Sequence, residues 1–255
     1  MQQLETMGWT KEGKIARVVF NRPTILNAMN NLAAKEINSI ADAIAKEDDV
    51  RVVVLTGTGR SFSTGIDLKQ LATGQIEFEY FTRWERALRI FETMEKVTIC
   101  GIREYCLGGG LQLALACDIR FAADNAVMGL PAIKEGLIPG LGTFRLSQYV
   151  GLGRAKRLIL SGENVNAQEA YTMGLIDYMV PLAEFEPRLE QIVQQYAKLC
   201  SVATVKAKTL TNLSFTLDFD SFLKKYIELQ NIACASEDHF EALRAYIEKR
   251  EPVFS

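Results

Sequence analysis

One histidine, His239, stands in the whole chain. That scarcity weakens any Ser/His/Asp or Cys/His scheme, because each needs an imidazole as its base. Five cysteines, Cys100, Cys106, Cys117, Cys200 and Cys234, are odd in number, form no CxxC and are not closely paired. This argues against a disulfide framework. A structural zinc site takes four Cys or His ligands at recognisable spacing, which the chain lacks, so no metal is expected. Cys106, beside a run of glycines, reads as a small buried hydrophobe, with a nucleophile as the other reading. A net charge of -2 leaves no excess of basic residues, so neither nucleic acid nor a membrane surface is an expected partner. No apolar run approaches the roughly 20 residues of a spanning helix. The N-terminal MQQLETMGWTKEGK lacks an apolar core and a cleavage pattern, so no signal peptide is expected and the expected location is cytoplasmic. Low-complexity segments and clean internal repeats are absent too.

What is present is an ordinary globular composition, 255 residues with 48% hydrophobic and 24% charged, enough for one sizeable core with or without a small appendage. The first half alternates strand and helix patterns. Strands are predicted over 15–20, 50–56 and 97–102, with short ones at 119–122 and 126–129. Apolar stripes predict helices over 32–46 and 79–95, and the glycine-opened 108–117 predicts a buried one. The second half is mostly helical, with segments near 145–150, 154–160, 184–200, 205–215, 220–234 and 236–250 and one more strand at 175–180. Gly162 is a predicted C-cap, and Asn166 with Glu169 a predicted capping box. The pattern as a whole gives an α/β class with a C-terminal helical part, divided as a core over 1–200 and a helical region over 201–255.

Two loop-to-helix junctions carry chemical potential. One is Ser61-Phe62-Ser63-Thr64-Gly65-Ile66-Asp67-Leu68, just past a strand end. The other is Leu107-Gly108-Gly109-Gly110-Leu111-Gln112, where glycines enter a helix. Glycine lets backbone approach a ligand closely, and a helix N-terminus offers free N–H donors. Two such donors converging on one point make an oxyanion hole. A GGG tripeptide alone is equally a packing turn. A phosphate loop is not indicated, because GxxxxGK[ST] is missing and no GxGxxG follows a strand.

Together these blocks resemble the crotonase superfamily, the enoyl-CoA hydratase/isomerase family. RVVVLTGTGRSFSTGIDLKQL resembles its strand and F-S-x-G-x-D-L loop. YCLGGGLQLALACDIRFAADNAVMGLPAIKEGLIPGLGTFRL and GRAKRLILSGENVNAQEAYTMGLIDYMVP resemble its next two blocks, SEDHFEALRAYIEKREPVF its last helix, and NRPTILNAMN also fits. The resemblance spans about residues 10–254. It implies a spiral of ββα units, with C-terminal helices packing in a homotrimer or a dimer of trimers. It implies an acyl-CoA thioester as ligand, with coenzyme A part of the substrate and no permanently bound cofactor. The thioester oxygen is then expected between the main-chain N–H groups of Thr64 and Gly109. Gly65, Ile66, Asp67 and Leu68 are expected along the pantetheine path with Thr64. Leu26 and Ala28 are expected at the adenine end, and Gly108, Pro131 and Leu141 around the acyl group.

The chain departs from the pattern where the family's hydratases carry two glutamates. Gln112 stands at the first position and Ala132, after Pro131, at the second. An amide can hold a water but cannot take its proton, and losing one acid–base group typically costs about 10²–10⁴ in rate. The expectation that follows is a non-standard reaction, such as decarboxylation, hydrolysis or isomerisation, rather than hydration. The alternative is an inactive acyl-CoA binder or shuttle. Glu104 and Glu135 are candidate substitute carboxylates. Thr143, in place of a glycine, is expected to narrow the pocket. Asp67 reads as a loop cap, and Tyr80 and Trp84 as helix-face packing.

Overall fold

A computed structural model describes residues 2–199 and 201–254. Cys200, at the end of one predicted helix and of the predicted core region, lies outside the described residues. In chain order the strands are β1 (Gln2–Gln3), β2 (Met7–Glu12), β3 (Ile15–Phe20), β4 (Val52–Gly57), β5 (Val97–Ile102), β6 (Tyr105–Leu107), β7 (Ile119–Ala123), β8 (Val127–Gly129), β9 (Asn164–Asn166) and β10 (Tyr178–Val180). The helices are α1 (Asn31–Ala45), α2 (Leu68–Ala72), α3 (Glu79–Thr93), α4 (Gly109–Ala116), α5 (Gly142–Val150), α6 (Leu152–Ser161), α7 (Ala167–Thr172), α8 (Phe185–Leu199), α9 (Val202–Leu213), α10 (Phe219–Cys234) and α11 (Glu237–Glu248).

Among the described residues, one sheet runs β1-β2-β3-β4-β5-β7-β10 and a second β6-β8-β9. From β3 to β10 the large sheet is parallel, and β1 to β3 are antiparallel. Interior parallel strands must be apolar on both faces. In β4, Val53 and Leu55 enter the cluster under α1, α3 and α4, while Val52 and Val54 enter the one under α8 with Phe185, Leu189 and Val193. Helix α4 is buried at every position, as an all-round apolar sequence requires.

The periodic segments fold where they were expected, within a few residues. Strands β3 and β5 match their predicted limits. Residues 2–12, read as no element, form β1 and β2, because six-residue pairing with β3 supplies what Gly8 and the charged Lys11 and Glu12 weaken locally. The predicted capping box is half present: Asn166 accepts the Glu169 N–H at 2.9 Å, but the Glu169 carboxylate binds Arg157 instead. Gly162 ends α6 in the left-handed region, as expected.

Two buried arginines tie the layers. Arg120, on β7, donates to the carbonyls of Leu175 and Cys117, pairs with Asp177 at 2.8 Å with only 2% of its own side chain exposed, and lies over the Tyr149 ring at 4.1 Å. Arg145, on α5, bridges Glu85 and Glu92 of α3. Helix α9 docks on the core through Val205 and through Lys208, which pairs with Asp118. No helix among the described residues is long and apolar enough to cross a membrane.

Removing the Arg120 guanidinium leaves two carbonyls without their donor and the Asp177 carboxylate with only the Arg120 main-chain N–H. Arg120→Met is expected to lower stability by about 3 kcal/mol, read as a shifted urea midpoint with an unchanged slope.

Candidate functional site

Three segments remote in sequence meet through main-chain bonds. Residues 26–30 run beside 63–67, and these run beside 105–109. Ser63 N–H donates to Tyr105 O and Leu107 N–H to Ser63 O, each at 2.9 Å. Met29 N–H donates to Gly65 O at 2.7 Å and Asp67 N–H to Met29 O at 2.8 Å. In a parallel pairing of this kind the residue between the two bonds, here Ile66, turns its own N–H away from its partner strand.

Asn27 holds the corner. It is 1% exposed and adopts the left-handed region at φ 56°, which Asn tolerates better than most residues. Its side chain donates to the carbonyls of Thr58 and Ser61 and accepts the Arg22 N–H. Its own carbonyl accepts the Ser63 hydroxyl, and that hydroxyl oxygen accepts the Gly65 N–H. Sequence reasoning assigned Asn27 no role; an Asn followed by a small residue after a proline turn was the available signal.

Gly65 lies against the start of α4. A Cβ there would sit 2.7 Å from Leu107 O and 2.9 Å from Gly109 N, and φ is +87°. Only glycine fits such a contact. The N–H of Gly109 has no acceptor among the described residues, and α4 has no side-chain cap. Its dipole end is therefore open.

Here the structure corrects one expectation. The Thr64 N–H is already donated to Leu26 O at 3.1 Å, so it is not a free oxyanion donor. The free amide of this loop is that of Ile66, two residues on, which has no acceptor among the described residues. Motif spacing located the loop but could not say which of its amides the pairing with Met29 leaves unused.

The opposite wall comes from α4, α3 and the turn before α5. The Gln112 side chain is buried, at 8% exposure. A Cβ on Gly140 (φ +48°) would lie 2.7 Å from Gln112 Oε1 and 2.8 Å from Glu85 Oε1, so a side chain is excluded there. The Glu85 carboxylate, from α3, accepts the Leu141 N–H at 2.8 Å and an Arg145 N–H at 2.9 Å. Glu85 was not anticipated, because on α3 it reads as one more charge on an amphipathic helix.

The expected substitute carboxylates lie elsewhere. Glu104, just before β6, pairs with Arg60 at 3.3 Å, and the length of that strand separates it from Gly109. Glu135 is exposed at the end of the 3-10 turn Pro131–Glu135. Thr143 does not narrow the pocket: it is exposed and its hydroxyl donates to Gly140 O. Cys106 is fully buried and burial pushes its thiol well above the ordinary value, so it is packing and not a nucleophile.

The remaining expected residues border this centre. Leu26 and Ala28 flank the Thr64–Asp67 loop, and their carbonyls accept from Thr64 and Arg22. Asp67 caps α2 by accepting the Gln70 N–H and pairs with Arg22 at 3.4 Å. Leu68 and Leu141 are exposed and Pro131 and Ala132 half-buried. Gly108 donates its N–H to Gly129 O. Tyr80 and Trp84 are buried packing, as expected. Yet the Tyr80 hydroxyl and the Trp84 indole N–H have no partner among the described residues, and Trp84 Nε1 lies 3.4 Å from where a Gly109 Cβ would be. A cavity of about 510 Å³ behind Arg145, lined by Glu92, Tyr149 and Lys208 among others, includes neither Ile66, Gly109 nor Gln112.

An α/β fold in which two backbone amides at a loop-to-helix junction have no acceptor among the described residues is a scaffold able to hold a carbonyl oxygen. Residues 10–255 match the Enoyl-CoA hydratase/isomerase family, and the chain belongs to it. It is 36% identical over 245 residues to the short-chain-enoyl-CoA hydratase of Clostridium acetobutylicum, covering 94% of each protein. It is 32% identical over 248 residues to the crotonyl-CoA hydratase of Syntrophomonas wolfei, covering 96% of this chain and 95% of that one. The crystal structure of enoyl-CoA hydratase from Bacillus anthracis superposes with a TM-score of 0.91 at 30% identity, covering 98% of this chain and 99% of that one.

These relatives overturn the expectation of a non-standard reaction or an inactive binder, because full-length relatives are named as ordinary hydratases. That expectation weighed Gln112 and Ala132 alone, whereas the Glu85 carboxylate of α3 also lies near Gln112, on the far side of the Gly140 Cβ position.

Gly65→Ala tests the junction. The new methyl group forces Gly65 away from Gly109, and turnover is expected to fall by about 10²-fold or more, with far-ultraviolet circular dichroism unchanged.

Proposed function

We propose that this protein hydrates the double bond of a short-chain enoyl-CoA thioester. The observation that carries the proposal is the pair of acceptor-free amides, Ile66 and Gly109, on two segments in backbone contact at Gly65. A thioester carbonyl held by two N–H groups becomes electron-poor, and its conjugated C3 accepts water. The enolate that forms is stabilised in place, each donor being worth about 10²–10³ in rate. The Thr64–Asp67 loop then lies along the pantetheine, with Leu26 and Ala28 toward the nucleotide and Leu141 and Pro131 beside the acyl chain. The names of the relatives support a short acyl group.

We also propose that the protein assembles as a homotrimer or a dimer of trimers through its C-terminal helices. Phe219, Tyr226 and Ile227 on α10 and Tyr246 and Ile247 on α11 are exposed, and apolar surface on this scale is characteristic of a subunit contact.

Purified protein is expected to consume crotonyl-CoA, followed as loss of the enoyl absorbance and gain of 3-hydroxybutyryl-CoA by mass spectrometry. No consumption of crotonyl-CoA or of longer trans-2-enoyl thioesters sinks the hydratase reading. Light scattering is expected to give three or six times the 28.5 kDa chain mass; a monomer mass refutes the assembly.

A further inference from the structure

We infer that Glu85 is the acid–base residue of this site, serving a water held between its carboxylate and the Gln112 amide. The inference rests on the hydratase reading and names its proton carrier. Gln112 Oε1 and Glu85 Oε1 lie 2.7 and 2.8 Å from one point, the missing Cβ of Gly140, so their separation cannot exceed the sum, 5.5 Å. One water hydrogen-bonded to both spans such a gap. The Gln112 side chain is largely buried, makes no hydrogen bond to protein among the described residues, and keeps its amide atoms open to solvent. An amide without a protein partner that water can reach takes a water or a ligand.

Glu85 suits the task by its wiring. Each of its oxygens accepts one protein hydrogen bond, Oε1 from Leu141 and Oε2 from Arg145. A carboxylate has about four lone-pair sites, so acceptor capacity remains on the oxygen that faces Gln112. Arg145 also holds Glu92, so its charge stays partnered when Glu85 takes up a proton. Both donors fix the rotamer, and Gly140 keeps the space open.

The reaction balances with this one carboxylate. Glu85 removes a proton from the water as the oxygen bonds to C3. The C2=C3 electrons move toward C1, and the carbonyl becomes an enolate under the Ile66 and Gly109 N–H groups. The enolate collapses and C2 takes the proton back from Glu85. One water has then added across the double bond, and the carboxylate is regenerated.

The test compares wild type with Glu85→Gln, which keeps size and one acceptor, and with Glu85→Asp, which keeps the charge but withdraws it by one methylene. Three readouts are taken: hydration of crotonyl-CoA, exchange of the C2 protons of butyryl-CoA in deuterated water, and butyryl-CoA affinity. Glu85→Gln is expected to lower kcat by about 10²–10⁴ and to abolish exchange, with affinity preserved. Hydration in Glu85→Gln within the same decade as wild type overturns the assignment and leaves the hydratase reading standing. Exchange without hydration in wild type, lost in Glu85→Gln, sinks the hydratase reading and supports Glu85. If wild type neither hydrates nor exchanges, both fall. If Glu85→Gln does not fold, Glu85→Asp decides: loss of kcat with affinity intact supports the role, and wild-type kcat refutes it.

Discussion

The site depends on main-chain hydrogen bonds that bind residues 26–30 and 63–67, outside the regular strands, into one short stack with β6 and the residues after it. Such pairing is directional. It satisfies the amides on one side of each segment and leaves those on the other side free. A free amide in a protein interior is costly, so the arrangement persists only because the surrounding structure over-determines it. Asn27 supplies much of that constraint from 1% exposure, its carbonyl and side chain tying Thr58, Ser61 and Ser63 of one loop to Arg22 of another segment. The two amides the stack leaves over, Ile66 and Gly109, belong to different segments, and glycine at 65 lets those segments touch.

The same reasoning explains why a buried helix serves the site. Helix α4 is apolar except at Gln112 and fully covered, so its uncapped N-terminal end is where its free N–H groups are offered. Its first turn presents N–H groups with a fixed direction and no competing water. Gln112, one turn along, is its only long polar side chain, held where Gly140 and Gly142 leave it room.

How much of this could be read in the chain varied with the origin of each feature. Strands β3 and β5 and helix α1 were legible because their apolar periodicity is local. Strands β1 and β2 were not, because they form by pairing with β3 over a sequence whose own preference is weak. The Gly108–Gly110 junction was legible as chemistry. Which amide of the Ser63–Asp67 loop is free was not, since that depends on bonds to Leu26 and Met29. Glu104 and Glu135 were considered because they are near the motifs in sequence, and tertiary structure turns one to Arg60 and the other to solvent. Glu85 was passed over for the converse reason: it is distant in sequence and its helix face looks ordinary.

That asymmetry bears on how missing motif residues are interpreted. A motif records which positions relatives use, while a reaction requires a charge at a point in space. The point beside Gln112 can be reached from α4 and from α3, because both border Gly140 or the turn around it. Each approach needs support: a carboxylate arriving on α3 needs donors to orient it and space in front of it. Leu141 N–H and Arg145 provide the first and Gly140 the second. Loss of carboxylates at 112 and 132 therefore removes function only where no third element meets those requirements, and α3 is the element we propose for that role here.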